Sequence, residues 1–181
     1  MKKQKINVID LDKTLVSFDT FRELVLREIK KGKFIVVLLT VLRISRLISS
    51  SNYKMRVQKY LQKNYSKSFF EEYADEIYQK INPKVLALIN QNTDKDTINI
   101  LLSASPDDYV QLLCEKLSWQ GSGSYFDEKN KYHHLYGNEK INWIKEFYPA
   151  MKFHYNFSIS DSKSDRKLLE LFESKIYFEG N

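Results

Sequence analysis

Lys5-Ile6-Asn7-Val8-Ile9 runs directly into Asp10-Leu11-Asp12-Lys13-Thr14-Leu15, so a short apolar run ends abruptly in two carboxylates one residue apart. Such a run reads as a buried strand, and the acids after it as a loop. The same pattern recurs further along. Residues 97–102 form a second run of β-branched residues and leucine, Phe153–Ser160 a third, and 175–178 a short last one. Helical patterns separate them at 107–117, Asn138–Phe147 and 165–172. Strands alternating with helices predict an α/β fold with a parallel sheet. Ser105-Pro106-Asp107-Asp108 has the marks of a helix start: a capping Ser, Pro at the first helical position and acids in the first turn. Residues 119–137, with glycines, serines and alternating aromatics, read as irregular chain or a small hairpin.

Between the first two strands the pattern is helical. Phe21, Leu24, Val25 and Ile29 share one face. A second, very apolar helix is expected over 34–48 and a third over 53–63. Ser68-Phe69-Phe70-Glu71 reads as a capping box opening a fourth, and Asn82-Pro83 opens a fifth. The expected organisation is a core of residues 1–16 plus 94–181, interrupted by an all-helical insertion over 17–93.

A chain of 181 residues suits one domain with a large insertion. Hydrophobic residues make up 43%, enough for a packed core, while 5 Gly and 3 Pro argue against a many-turned all-β chain. The net charge of +6 favours anionic partners. Basic clusters are confined to 2–5 and 30–33. No Lys/Arg block reads as a nucleic-acid arm, so nucleic acid is not expected as a partner. The single cysteine, Cys114, sits in an apolar helical pattern and can support neither a disulfide framework nor a Cys-based zinc site. No leader is visible before the first strand, so a reducing cytoplasm is the expected location.

In open α/β sheets the site lies beyond the carboxyl ends of the strands. Asp10, Asp12 and Thr14 follow the first strand, and Ser103-Ala104-Ser105-Pro106 the second. Ser160-Asp161-Ser162-Lys163-Ser164-Asp165 follows the third, and Lys140 opens the helix before it. Each alone has an ordinary reading. An Asp after a strand often forms a turn or caps a helix, and Lys140 would be a helix-surface lysine. Together, in this order and over nearly the whole chain, they resemble the haloacid dehalogenase superfamily. Its four motifs are Asp-x-Asp-x-Thr, a Ser or Thr, a Lys and an acidic pair. Ser160 stands where that pattern usually has Gly.

The resemblance implies a Rossmann-like core and a phosphatase working through phosphorylated Asp10. Mg2+ would be held by Asp10, Asp161 and the backbone of Asp12, with Asp165 at the metal or its outer shell. Asp12 would act as acid and base, and Lys140, Ser103 and Ala104 would hold the phosphoryl group. The physical case is consistent. A phosphate monoester repels an attacking carboxylate unless a cation neutralises both, and Mg2+ binds through one or two carboxylates plus substrate phosphate. A phosphomutase or phosphotransferase of the same superfamily is the nearest rival. A non-catalytic scaffold or membrane-surface protein on this fold is another.

The insertion resembles the helical cap of the phosphoserine phosphatase-like branch, which makes Arg56 and Asp19 candidates for substrate contact. Solvated helix charge is the plainer reading of both. Residues 34–48 would span about 22 Å as a helix, short of the ~30 Å hydrocarbon core. With Lys30, Lys31 and Lys33 before it and Arg43 and Arg46 within it, this segment can be a buried cap helix, a homodimer contact or a peripheral membrane contact at the inner face. The last suits a lipid-phosphate substrate, the first two a phosphorylated small molecule. His133 and His134 are adjacent, so they face opposite ways on a strand and read as surface residues.

Overall fold

The computed structural model describes residues 3–178. Its strands are β1 (Gln4–Ile9), β2 (Thr97–Pro106), β3 (Gln120–Phe126), β4 (Tyr132–His133), β5 (Phe153–Ser160) and β6 (Ser174–Tyr177). They form one sheet in the order β4-β3-β2-β1-β5-β6. Every pairing is parallel except that of β4 with β3. The helices are α1 (Thr20–Lys30), α2 (Phe34–Ile44), α3 (Ser50–Asn64), α4 (Lys67–Gln79), α5 (Pro83–Gln91), α6 (Asp107–Leu117), α7 (Asn138–Phe147) and α8 (Arg166–Leu169). The first five lie between β1 and β2, as the sequence predicts. The α/β, Rossmann-like class is therefore correct.

Alternation along the central strands sends residues to opposite faces of the sheet. Ile6, Val8, Ile100 and Leu102 pack with Ile144 and Leu168 of α7 and α8. Ile9, Leu101 and Phe157 face the other way, toward α6 and the helical block. That second core is continuous: Phe21, Val57, Leu61, Tyr73 and Ile77 of the insertion share it with Val110 and Leu113 of α6. Asn7, on this face, donates to Asn99 Oδ1 and accepts from Asn156 Nδ2, both at 2.8 Å. This ladder satisfies buried amides across three strands, at the end away from the acids.

Several boundaries differ from expectation. β2 runs through Pro106, and Ser105 caps no helix because its hydroxyl is used elsewhere. The expected capping box at Ser68 lies inside α4, whose N-cap is Ser66. α2 stops at Ile44, four residues early. Residues 119–137 do contain a hairpin, but its first strand belongs fully to the parallel sheet. Gly121 and Gly123 hide that strand in the sequence. A Cβ on Gly123 would come within 2.4 Å of Ser105 O, so the close approach of β3 to β2 needs glycine there. The expected helix over 165–172 is reduced to one 3₁₀ turn, Lys163–Asp165, and the short α8.

Candidate active site

The apolar β1 ends by placing Asp10 at the middle of the sheet, where it is only 7% exposed. Lys140, on the first turn of α7, donates through Nζ to Asp10 Oδ1 at 2.7 Å and to Asp165 Oδ2 at 2.6 Å. Thr14 completes the hold on Asp10, donating to Oδ2 at 3.2 Å. The same hydroxyl accepts from Asp161 N–H at 3.0 Å, so Thr14 ties the loop after β1 to the loop after β5. In the loop itself, Lys13 N–H is taken by Phe18 O and Thr14 N–H by Leu11 O. Among the described residues, no such bond engages the N–H groups of Leu11 and Asp12. Lys13 sits at φ 58, in the left-handed region, where this loop turns.

Asp12 is held by four donors. Oδ1 accepts from Thr20 N–H at 2.7 Å and Thr20 Oγ1 at 2.6 Å, and Oδ2 from Ser105 Oγ at 2.6 Å and Ser103 Oγ at 3.2 Å. The start of α1 and the end of β2 therefore fix one carboxylate together. Thr20 and Ser105 were not anticipated as partners of Asp12, nor was Tyr109, whose hydroxyl lies 2.9 Å from Thr20 Oγ1. Thr20 hides because it sits at a helix start, and Ser105 because Pro106 makes it resemble a cap.

Asp165 is 1% exposed and fully engaged: besides Lys140 it accepts from Ser160 Oγ at 3.0 Å and Ser164 Oγ at 3.3 Å. The sequence places Asp165 at the metal or its outer shell; here its oxygens serve an ammonium and two hydroxyls. The Ser160 hydroxyl that stands in place of a usual Gly provides one of these bonds. Asp161 is half-buried, and among the described residues its carboxylate accepts from no other side chain.

The electrostatics follow from burial. Asp10 is pushed up to about 7, mainly by burial, with Asp165 and Asp12 adding negative charge that Lys140 only partly offsets. Burial would lower the Lys140 ammonium, but Asp10 and Asp165 on either side hold it above its usual range. Burial also raises Asp161, helped by Asp12. The four carboxylates thus outnumber Lys140, and even with Lys13 and Lys54 nearby the strand ends keep a deficit of positive charge. That deficit, with the oxygen donors Asp10 and Asp161 and the backbone carbonyl of Asp12, fits a hard divalent cation. No group of three or more Asp, Glu, His or Cys residues converges among the described residues. Mg2+ requires only one or two carboxylates.

The insertion offers a different basic residue from the one expected. Arg56 is exposed, off the Val57, Gln58 and Leu61 face by which α3 packs. One turn earlier on that face, Lys54 donates to Ala104 O at 3.0 Å. Burial lowers the Lys54 ammonium against the pull of Asp12 and Asp19. Lys54, and not Arg56, is therefore the basic side chain of α3 that touches the end of β2. Asp19 caps α1, accepting from Arg22 N–H at 2.8 Å, and lines a groove of about 560 Å³ with Phe21, Tyr53 and Lys54. The histidines are not free surface residues. His133 bonds Asp127 at 2.9 Å and stacks on Tyr125, and His134 stacks between Tyr132 and Tyr136.

A family model described as haloacid dehalogenase-like hydrolase matches residues 8–170. The chain belongs to that family. Solved structures agree on the fold. A protein of unknown function from Bordetella pertussis Tohama I superposes with TM-score 0.76 at 12% identity, over 99% of this chain and 92% of that one. A family hydrolase from Salmonella enterica serovar Typhi gives 0.69 at 13% identity, over 100% and 64%. A phospho-aspartyl intermediate analogue of phosphoserine phosphatase gives 0.56 at 18% identity, over 98% and 87%. A search of curated proteins gives no match. In this haloacid dehalogenase-like hydrolase the motif carboxylates, Ser103 and Lys140 meet at one end of the sheet.

Proposed function

We propose that the chain is a phosphatase that hydrolyses a phosphate monoester by passing the phosphoryl group to Asp10 and then to water. The observation that carries this reading is the setting of Asp10. It is a buried carboxylate at the end of the central strand, fixed by Lys140 and Thr14, beside two backbone N–H groups free to bind an anion. An Asp10 oxygen attacks phosphorus, the bond to the leaving oxygen breaks, and Asp12, which takes up a proton from solvent before this step, gives that proton to the leaving oxygen. Asp12 then takes a proton from water as the water oxygen attacks phosphorus, releasing inorganic phosphate and free Asp10. Asp12 reaches the leaving oxygen by giving up Ser103, its longest contact at 3.2 Å. The freed Ser103 hydroxyl and Lys140 then hold the phosphoryl oxygens, with the Ser103–Ala104 segment as one wall. Asp165 holds Lys140 in position.

Asp10, Asp161 and the Asp12 carbonyl would hold Mg2+, which would supply the positive charge that lets two anions meet. The helical block over 17–93 acts as the cap, and Lys54 and Asp19 face the leaving group, which belongs to a phosphorylated small molecule or a lipid phosphate. Chelated protein should lose turnover of an aryl phosphate and regain it with Mg2+ but poorly with Ca2+. In labelled water one label should enter the phosphate released. Full activity after exhaustive chelation, or transfer of phosphate to an organic acceptor in place of water, would overturn this reading.

A further inference from the structure

Residues 29–70 contain ten Lys or Arg and no Asp or Glu. The whole chain has 29 basic and 23 acidic residues, so the rest, with nineteen and twenty-three, is net negative by four. The positive charge is therefore not spread over the molecule; it belongs to α2, α3 and their flanks. The same segment holds the largest exposed apolar groups of the insertion. Val36 and Leu39 of α2 are buried, while Phe34, Leu38 and Val41, at i, i+4 and i+7, are 73%, 45% and 55% exposed. Ile35 and Ile44 flank this stripe, and Leu47 beyond it is 72% exposed. The expectation that 34–48 is a buried cap helix therefore holds for one face only. Lys30, Lys31 and Lys33 lie before the stripe and Arg43 and Arg46 at its far end.

We infer that this face is a docking surface for an anionic lipid bilayer, with α2 lying in the plane of the interface. Among the described residues no helix is long and apolar enough to cross a membrane, and α2, with 11 residues, is about 16 Å long. An apolar stripe bracketed by cations is the pattern of a helix that enters only the headgroup and upper acyl region. Charge decides against a second copy of the chain as the occupant. Lys31 and Lys67 are paired with Glu28 and Glu71, but Lys30, Lys33, Arg43 and Arg46, which bracket the stripe, pair with no acid among the described residues, and two copies of such a face repel each other. One face of a ~16 Å helix is also small beside the ~800 Å² per partner of a stable dimer. Anionic headgroups remove the repulsion and turn it into attraction, about fivefold in partitioning for each Lys or Arg near the surface. The inference stands on the surface alone and not on the catalytic reading.

Sedimentation with vesicles tests it without any activity readout. The whole chain should bind vesicles of phosphatidylcholine with phosphatidylglycerol and bind pure phosphatidylcholine at least tenfold less, and salt should weaken the binding. Leu38→Asp with Val41→Asp should lower partitioning at least tenfold while thermal unfolding, followed by circular dichroism, stays as in the wild type, because both residues are exposed. Lys33→Ala with Arg46→Ala should lower it by an order of magnitude or more. Failure of the wild type to bind the anionic vesicles would overturn the inference. So would equal binding by the Leu38→Asp/Val41→Asp variant, or a dimer in light scattering that this variant dissolves while vesicles are ignored.

Discussion

At the strand ends, Asp10, Asp12, Asp161 and Asp165 are brought to one end of the sheet with a single fully buried ammonium, Lys140. In residues 29–70 of the insertion, ten cations stand without one acid. In the first region Asp10 and Asp165 are buried, the carboxylates of Asp10, Asp12 and Asp165 have partners at 2.6 to 3.3 Å, and a change at Lys140 leaves a charge unmatched. Apart from the buried Lys54, the second is largely exposed and solvated, so its charges act together, by field, and singly contribute little to stability. On the readings proposed above, chemistry that needs fixed atoms belongs to the first, and recognition that needs a surface to the second.

The strongest break in this contrast is at Asp10. Asp10→Asn keeps the shape and removes the attacking anion, so turnover of an aryl phosphate should fall by roughly four orders of magnitude or more. Normal activity in the purified variant ends the proposed mechanism. Next is Lys140→Met, which strands Asp10 and Asp165 in a buried site. Removing one partner of such a group costs about 3–5 kcal/mol. Lys33→Met, in the exposed region, should cost no more than ~0.5 kcal/mol. Urea unfolding of both in chelator checks the difference; equal midpoints would mean that the strand ends are not electrostatically tight.

The strand ends were legible in the sequence because their chemistry fixes residue type and order. Asp10, Asp12, Ser103, Lys140 and Asp161 all arrive at one end of the sheet. What could not be read was partnership. Ser105 looked like a cap because Pro106 follows it, and only the extension of β2 turns its hydroxyl to Asp12. The third strand of the parallel sheet was hidden because its tight packing requires glycines, which carry no strand signal. In the insertion, helix periodicity located the elements but not their rotation. On α3, residues 54 and 56 are about 200° apart, so the choice between Lys54 and Arg56 depended on which face packs.

That choice gives the third test. Lys54→Ala should lower kcat/KM for the natural substrate about 10²-fold, the scale expected when a charged partner is removed from a desolvated site. Arg56→Ala should change it less than about twofold. Comparable decreases in the two variants would mean that α3 does not present Lys54 alone to the substrate.

The smallest effect expected lies where the two regions touch. His134, just beyond β4, stacks between Tyr132 and Tyr136, and its Nε2 is buried without a partner. Burial first, and Lys54 second, lower its pKa to about 4. The ring is therefore neutral in the folded protein, while the unfolded chain takes up a proton near 6.5. Between these values the unfolded state binds more protons, so stability rises with pH. The contribution is complete above about 6.5 and is lost as pH falls toward about 4. A ring that is only half-buried is screened, which leaves about 1–2 kcal/mol of this dependence. His134→Phe keeps the aromatic stack and cannot titrate. Urea unfolding across this window should show a shallower acid loss in the variant than in the wild type. Lys54→Ala removes the nearby cation, so it should also flatten the wild-type slope, but only in part. Parallel slopes in all three proteins would show that His134 is solvated in the folded state and that the cation of the insertion does not reach the rim of the sheet.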